Sequence, residues 1–423
     1  MLKKTCIYAN FYVTLRSKIV NMPNKRKIIN DPVFGFLDIP SDLLYDILQH
    51  PYVQRLNRIR QLGLSYFVYP GAMHSRFLHS LGAMHLMQEA LHSLRQKGIA
   101  ISDEEAEAAM IAILLHDLGH GPFSHVLEHT LVEGITHEEI SLLMMEAIPA
   151  PDLAIRIFKD EYPRRFLHQL ISSQLDVDRM DYLCRDSFFC GVTEGNVASA
   201  RLIKMMNVVD DKLVLEAKGI YSVEKFLVAR RLMYWQVYLH KTSVGAEQLL
   251  IKILQRAKQL AAQGKELFCS PALHYFLYNR VTAKDFAVHS EALQTYALLD
   301  DSDVLSAIKI WQSSDDRVLS LLSQAFTNRR LFKGALLDEP MDETEQQLLR
   351  QLYATEFHIS EQEASYFFTE HVSTSNTYSE KGDTIDILYN DGSVQDIAKA
   401  SEILDLEALT RKPKKIYLFQ YRL

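Results

Sequence analysis

The sequence predicts a mainly α-helical body of roughly 330 residues carrying a smaller mixed α+β C-terminal part. Three observations carry this. Apolar residues recur at helical spacing through about residue 297. A capping signature, Ser102 with Glu105, opens the most apolar of those stretches. After about residue 360 the pattern changes to short β-like runs parted by a turn signal.

Composition sets the bounds. The 423 residues are 48% apolar and 23% charged, as in soluble globular proteins, which excludes a disordered chain, a collagen-like fibre or a low-complexity scaffold. The longest unbroken apolar run, Ala108–Leu115, is far short of the about 20 residues a membrane span needs. The net charge of −7 disfavours broad binding to nucleic acid, while leaving room for a local basic cleft. Cys6, Cys184, Cys190 and Cys269 are too scattered for a disulfide framework and read as reduced thiols of a cytoplasmic protein.

In chain order, residues 1–21 form a loosely attached extension. Its apolar stretch is interrupted by Asn10 and Thr14, unlike a signal peptide, and Met22 offers an alternative start. Residues 41–62 predict two helices parted by Pro51. Tyr66–Tyr69 reads as a short strand ended by Pro70-Gly71. His79–Gln96 is an amphipathic helix stopped by Gly98. Ser102 and Glu105 form a capping box opening a helix that ends at Gly119. That helix is apolar all round and belongs at the centre of the core. Helical patterns follow at 137–147, 151–172, 176–188, 197–207, 221–262 and 272–297, with a strand near Lys212–Glu216. Tyr366–Val372, Thr384–Tyr389 and Lys415–Tyr421 read as strands, with Asn390-Asp391-Gly392 a hairpin turn.

Histidine is concentrated. Nine of the sixteen lie between His74 and His137, where even spacing would put about two. Packing does not account for this, because a buried imidazole needs hydrogen-bond partners. Metal binding and phosphate chemistry both use it. Within the window, the helix delivers His116-Asp117 at its C-terminal end. Gly119 and Gly121 let the chain turn, Pro122 prevents helix resumption, and His120 and His125 return to the same spot. His79 upstream and Asp178 downstream complete a set of two nitrogens and two oxygens with His116 and Asp117. Such a set suits a divalent ion (iron, manganese, zinc or magnesium) with positions open for water and substrate. Asp178, Tyr182 and Asp186 share one helix face.

These motifs together resemble one family. His79, His116-Asp117 and Asp178 follow the H…HD…D order of HD-domain metal-dependent phosphohydrolases. Gln54-Arg55-Leu56, Gln61-Leu62-Gly63, Arg76-Phe77, the His116–His125 run, Thr136-His137-Glu138 and Asp176–Tyr182 resemble its deoxynucleoside triphosphate triphosphohydrolase branch, which includes the SAM-and-HD-domain dNTPase. The similarity is good over roughly 27–262 and poor beyond. It implies an HD-domain helical bundle over 22–262, a helical extension over 263–359 and the C-terminal part over 360–423.

The resemblance further implies that His79, His116, Asp117 and Asp178 hold the metal. Arg76 would contact the phosphate under attack. His120, His125 and His137 would line the triphosphate, with His125 and Glu128 in place of the family's catalytic His–carboxylate pair, where the family carries Asp rather than Glu. Arg179, Arg230 and Lys241 would answer the outer phosphates. Gln61, Tyr182, Asp186 and Tyr238 would surround the deoxyribose. The implied reaction is hydrolysis of a dNTP to deoxynucleoside and triphosphate by a homo-oligomer. Gln49 and Asn57 replace the guanine-reading residues of the SAM-bearing relative, while Lys27 and Gln54 match, so activation by guanine nucleotides is not expected. Two other readings remain at this level. One is a different HD reaction, a nucleotide monophosphatase or phosphodiesterase. The other is a non-catalytic nucleotide or nucleic-acid binder.

Overall fold

The computed structural model describes residues 27–123, 126, 130–374, 384–401 and 414–423. The chain is mainly helical, with small sheets at its margins. Two strands, β1 (Lys27–Asp31) and β2 (Gly35–Ile39), open it as an antiparallel hairpin. Helices α1 (Asp42–Leu48) and α2 (Pro51–Arg55) follow, with Pro51 starting α2, where its missing N–H costs nothing. The expected strand at 66–69 is instead a 3-10 turn, Ser65–Phe67. Four residues without a partner strand close on themselves, Val68 and Tyr69 N–H both donating to the Ser65 carbonyl. Phe67 packs edge-on against Phe326 and Tyr66 lies under Arg60.

Helices α3 (Arg76–Gln96) and α4 (Asp103–Leu115) form the centre. The Ser102–Glu105 capping box is present. Every residue from Ala108 to Leu115 is buried. The helix ends at Leu115, not Gly119, and residues 116–119 turn. Next come the two-residue strand β3 (Val132–Glu133) and α5 (His137–Ala147), capped reciprocally by Thr136 and Glu139, then α6 (Asp152–Phe158) and α7 (Phe166–Ile171). The single stretch expected over 151–172 is broken where Asp160 takes a positive φ and Pro163 bars re-entry. Helix α8 (Val177–Cys190) packs against α3, which already packs on α4.

Helix α9 (Ser199–Met205) leads into the hairpin of β4 (Met206–Val209) and β5 (Lys212–Glu216). The 221–262 stretch also divides. It comprises α10 (Ile220–Met233), a π turn at Tyr234–Tyr238, and α11 (Lys241–Ala262), whose N-cap is His240. The 272–297 stretch becomes α12 (Pro271–Tyr278) and α13 (Glu291–Leu298). Between them Val281–Thr282 pairs in parallel with Val132–Glu133.

Helices α14 (Asp301–Trp311), α15 (Arg317–Thr327) and α16 (Glu343–Phe357) lie in the stretch expected as a helical extension, though no individual pattern marked them. The C-terminal strands Phe368–Thr374 and Lys414–Gln420 form a three-stranded sheet with Lys333–Leu337, the second of them central. Asp386–Leu388 turns back on Val394–Asp396 and pairs in parallel with β5. Both sheets therefore cross the expected divisions, at 359 and between the first and last parts. One apolar core runs from Leu37 to Phe419. No helix among the described residues is long and apolar enough to cross a membrane.

Candidate metal centre and substrate cleft

Three elements bring the histidine set together. His79 sits in the first turn of α3, His116 caps the C-terminus of α4, and Asp178 lies in the first turn of α8. One ligand atom from each lies within 4.8 Å of the others. His79 Nε2 is 3.1 Å from Asp178 Oδ1 and 3.4 Å from His116 Nε2. His116 Nε2 is 3.4 Å from the same Asp178 oxygen. The second nitrogen of each ring is bonded away from this point, His79 Nδ1 to Asp181 Oδ2 at 2.6 Å and His116 Nδ1 to the Ile113 carbonyl at 2.6 Å. Both Nε2 atoms therefore face inward. Imidazole nitrogen with carboxylate oxygen fits a divalent transition metal or magnesium, and the donor set fits the expected ion.

Asp117, the fourth expected ligand, stands beside this group. Its Oδ1 is 3.3 Å from His116 Nε2, while its Oδ2 accepts from Arg76 Nη1 at 2.6 Å. Arg76 is thus at the centre, buried in the same turn of α3 as His79.

The cluster is strongly polarised. Burial opposes charge on His79, but its bonds to Asp178 and Asp181 push its pKa up to about 10. Burial alone would raise both carboxylates. His116 and His120 with Arg76 hold Asp117 well below the usual range, and His116 and His79 hold Asp178 below it. His120 moves the other way, down to about 3, through burial and the nearby charge of Arg76. Its ring stacks on His137 at 3.9 Å and its Nε2 is 3.4 Å from Asp117. His125 and Glu128 lie outside the described residues.

A second constellation lies further along α8. Asp186, two turns from Asp178, accepts from Tyr238 Oη at 2.9 Å and bonds His74 Nε2 at 2.7 Å. Tyr182 lies between them, 6.4 Å from His79 and 6.0 Å from Tyr238, ring to ring. Gln61 is brought in by its N–H bond to the His74 carbonyl, and its buried Oε1 has no partner among the described residues. Arg179 pairs with Asp176, the N-cap of α8. Buried Arg230 bonds Gln174 at 3.2 Å. Lys241, exposed at the start of α11, shows no bond to the rest of the set among the described residues.

Several supporting residues escaped the sequence reading. Asp181 and Arg185 stand behind His79, and an acid–base pair four apart on one helix was their signal. His74 carried no motif beyond its place in the histidine-rich window. Gln174, Tyr234 and Tyr296 carried no motif, and Arg55 stood in the Gln54-Arg55-Leu56 motif without a task. Arg55 is fully buried, donating to the Leu118 and Leu299 carbonyls, and Tyr296 Oη donates to the Gly119 carbonyl. The loop bearing Asp117 and His120 is therefore clamped from α2 and α13.

Comparison with known proteins gives the family. The HD domain family matches residues 76–186, and the HD associated region matches 197–268. The first match begins at Arg76 and ends at Asp186, so it holds the histidine cluster with Tyr182 and Asp186, while Tyr238 falls in the second and His74 and Gln61 precede both. The chain belongs to the HD-domain phosphohydrolase family. It is 35% identical to the uncharacterized protein YwfO of Bacillus subtilis, over 73% of this chain and 72% of that one. It is 32% identical to the deoxynucleoside triphosphate triphosphohydrolase SAMHD1 of Homo sapiens, over 51% of this chain and 42% of that one. The crystal structure of a phosphohydrolase from Bacteroides thetaiotaomicron superposes with a TM-score of 0.91 at 56% identity, covering 94% of this chain and 100% of that one.

Proposed function

We propose that this phosphohydrolase cleaves deoxynucleoside triphosphates to deoxynucleoside and intact triphosphate. The observation that carries the reading is the layout of α8. This one helix gives Asp178 to the histidine cluster and Asp186 to the Tyr238–His74 pair, about 12 Å further along its axis. A phosphoryl group at the first point and a sugar hydroxyl at the second are held on one rigid ruler. The similarity to SAMHD1 over half of this chain supports the same substrate class.

Each residue then has a task. His79, His116, Asp117 and Asp178 would hold the divalent ion, which supplies Lewis acidity toward the phosphoryl oxygen and a more acidic water. Arg76 neutralises charge at the α-phosphoryl group. His120, held neutral, and His137 line the phosphates as hydrogen-bond partners. His125, with Glu128, protonates the departing oxygen. Arg179, Arg230 and Lys241 take the outer phosphates. Tyr182, Tyr238, Asp186 and Gln61 surround the sugar, and a tyrosine beneath it crowds a 2′-hydroxyl. The reading includes a cytoplasmic homo-oligomer, which analytical ultracentrifugation would test.

The deciding experiment is a product-resolved assay of all dNTPs and NTPs, and of mononucleotides, with Mn, Mg, Fe and Co. Deoxynucleoside and triphosphate are the expected products. Orthophosphate or pyrophosphate as the primary product would overturn the assignment of attack to the α-phosphorus. Turnover confined to monoesters or diesters would move the protein to another HD reaction.

A further inference from the structure

Behind His79 lies a chain of buried charges that no task above uses. Asp181 Oδ2 meets His79 Nδ1 at 2.6 Å. Arg185 grips Asp181 with two donors, Nε to Oδ2 at 3.0 Å and Nη2 to Oδ1 at 2.9 Å. The remaining nitrogen, Nη1, donates to Asp31 Oδ2 at 2.6 Å. Asp31 Oδ1 in turn accepts the Val33 and Phe34 amides at 2.9 Å each, tying the turn of the β1–β2 hairpin. The side chains of Asp31, Asp181 and Arg185 are 0% exposed.

Stability alone is a weak reason for such a chain, since apolar residues of like volume fill a core as well. Orientation is a stronger one. A neutral imidazole offers a ligand nitrogen only where it carries no proton, and a carboxylate accepting at Nδ1 fixes the proton there and leaves Nε2 bare. Helix α3 makes room for this. A Cβ on Gly82 would stand 1.9 Å from Asp181 Oδ1 and 2.1 Å from Arg185 Nη2, so only glycine lets the pair lie against the helix that bears His79.

We infer that Asp181 is a positioning residue for His79, and that Arg185 and Asp31 hold it in register, so that the N-terminal hairpin sets metal affinity from a distance. The inference rests on reading His79, His116 and Asp178 as a metal centre, and the test separates the two. Full-length protein is stripped with chelator and titrated with Mn²⁺ by calorimetry. The Zn²⁺-loaded form, with ¹⁵N-labelled histidine, reports the His79 Nδ1 proton by NMR, a signal that a merely space-filling Asp181 would not control.

Asp181→Asn should weaken Mn²⁺ binding about 10–100-fold, the usual loss for such a partner, and move the Nδ1 proton upfield as its bond loses charge. Asp31→Asn should act in the same direction by about three- to tenfold, a smaller loss than at the direct partner. Unchanged affinity and an unmoved proton in folded Asp181→Asn would overturn the inference. Should that variant fail to fold, Asp31→Asn decides alone by the same two readouts. His79→Ala is the separate arm. Wild-type Mn²⁺ affinity there would remove the metal centre itself, whatever Asp181 does.

Discussion

Gly119→Ala adds a single methyl group at the most crowded point behind the histidine cluster. Its Cβ would stand 1.9 Å from the His137 carbonyl oxygen and 2.5 Å from the Ser141 amide nitrogen. Both are backbone atoms of the first turns of α5, so no side chain can swing aside. Ordinary contact begins at 3.4 Å, so the loop and α5 must separate by about 1.5 Å. That opening strains two bonds, Gly119 N–H to Ser141 Oγ at 2.8 Å and Ser141 Oγ to the His116 carbonyl at 2.7 Å. Overpacking costs about 1–3 kcal/mol and a lost hydrogen bond about 1 kcal/mol. The stiffer unfolded chain returns about 0.4–1 kcal/mol. A net loss of about 1–3 kcal/mol follows. Function should suffer more, because the displacement parts the His120 and His137 rings, now 3.9 Å apart between centroids. Misplacement by about 1 Å commonly costs about 10²-fold in rate. Thermal unfolding and dNTP turnover should be measured together, with Ser141→Ala as comparator. That variant removes both bonds without the clash and should lose less activity. Unchanged melting temperature and turnover in Gly119→Ala would refute the reasoning.

Arg55→Met keeps the volume of a buried side chain but leaves the Leu118 and Leu299 carbonyls unpaired; denaturant titration should show about 1–3 kcal/mol lost, with lower turnover through the neighbouring Asp117. Burial alone would raise the Glu105 pKa, but the Ser102 amide, Arg164 and Tyr162 together hold it below the usual value. Its contribution to stability is therefore present above the unfolded-state pKa and lost as pH falls through the folded one, and Glu105→Gln should flatten that acid limb in melts run from pH 7 to 3. Arg230→Ala should depress dNTP turnover far more than turnover of any monoester, seen in parallel kcat/KM measurements. With Gln49 and Asn57 in place of the guanine-reading residues that the resemblance implies, dATP hydrolysis should need no added GTP, and a strict GTP requirement in a titration would contradict this.

The helical body and the histidine cluster were legible in the sequence because their signals are local. Ser102–Glu105 capping, the apolar run of α4 and the His116-Asp117 pair each need only a few neighbouring positions. The folding of Tyr66–Tyr69 into a turn was not legible, because Phe326, which packs on Phe67, lies far away in the chain. The long pattern over 221–262 hid its breaks, since periodicity continues across a π turn and a two-residue gap, whereas the break at 159–165 was signalled only by Pro163. In the site, ligand residues carried motifs, whereas their supports did not. Asp31 lies 154 residues from Arg185, and the Arg55–Leu299 bond spans 244 positions. Spacing in the chain holds no trace of such pairs.

The parallel pairing of β5 with Asp386–Leu388 has a consequence for how the protein is made. Leu215 waits for Ile387, and every residue between must leave the ribosome first. At about 5–20 residues per second, β5 emerges roughly ten to thirty seconds before its partner. During that interval the helical body can assemble around α3 and α4, but the edge of β5 stays open to any passing strand. Residues 386–396 therefore act on the nascent chain as a late-arriving cover, and chains stopped before residue 386 would carry that open edge permanently.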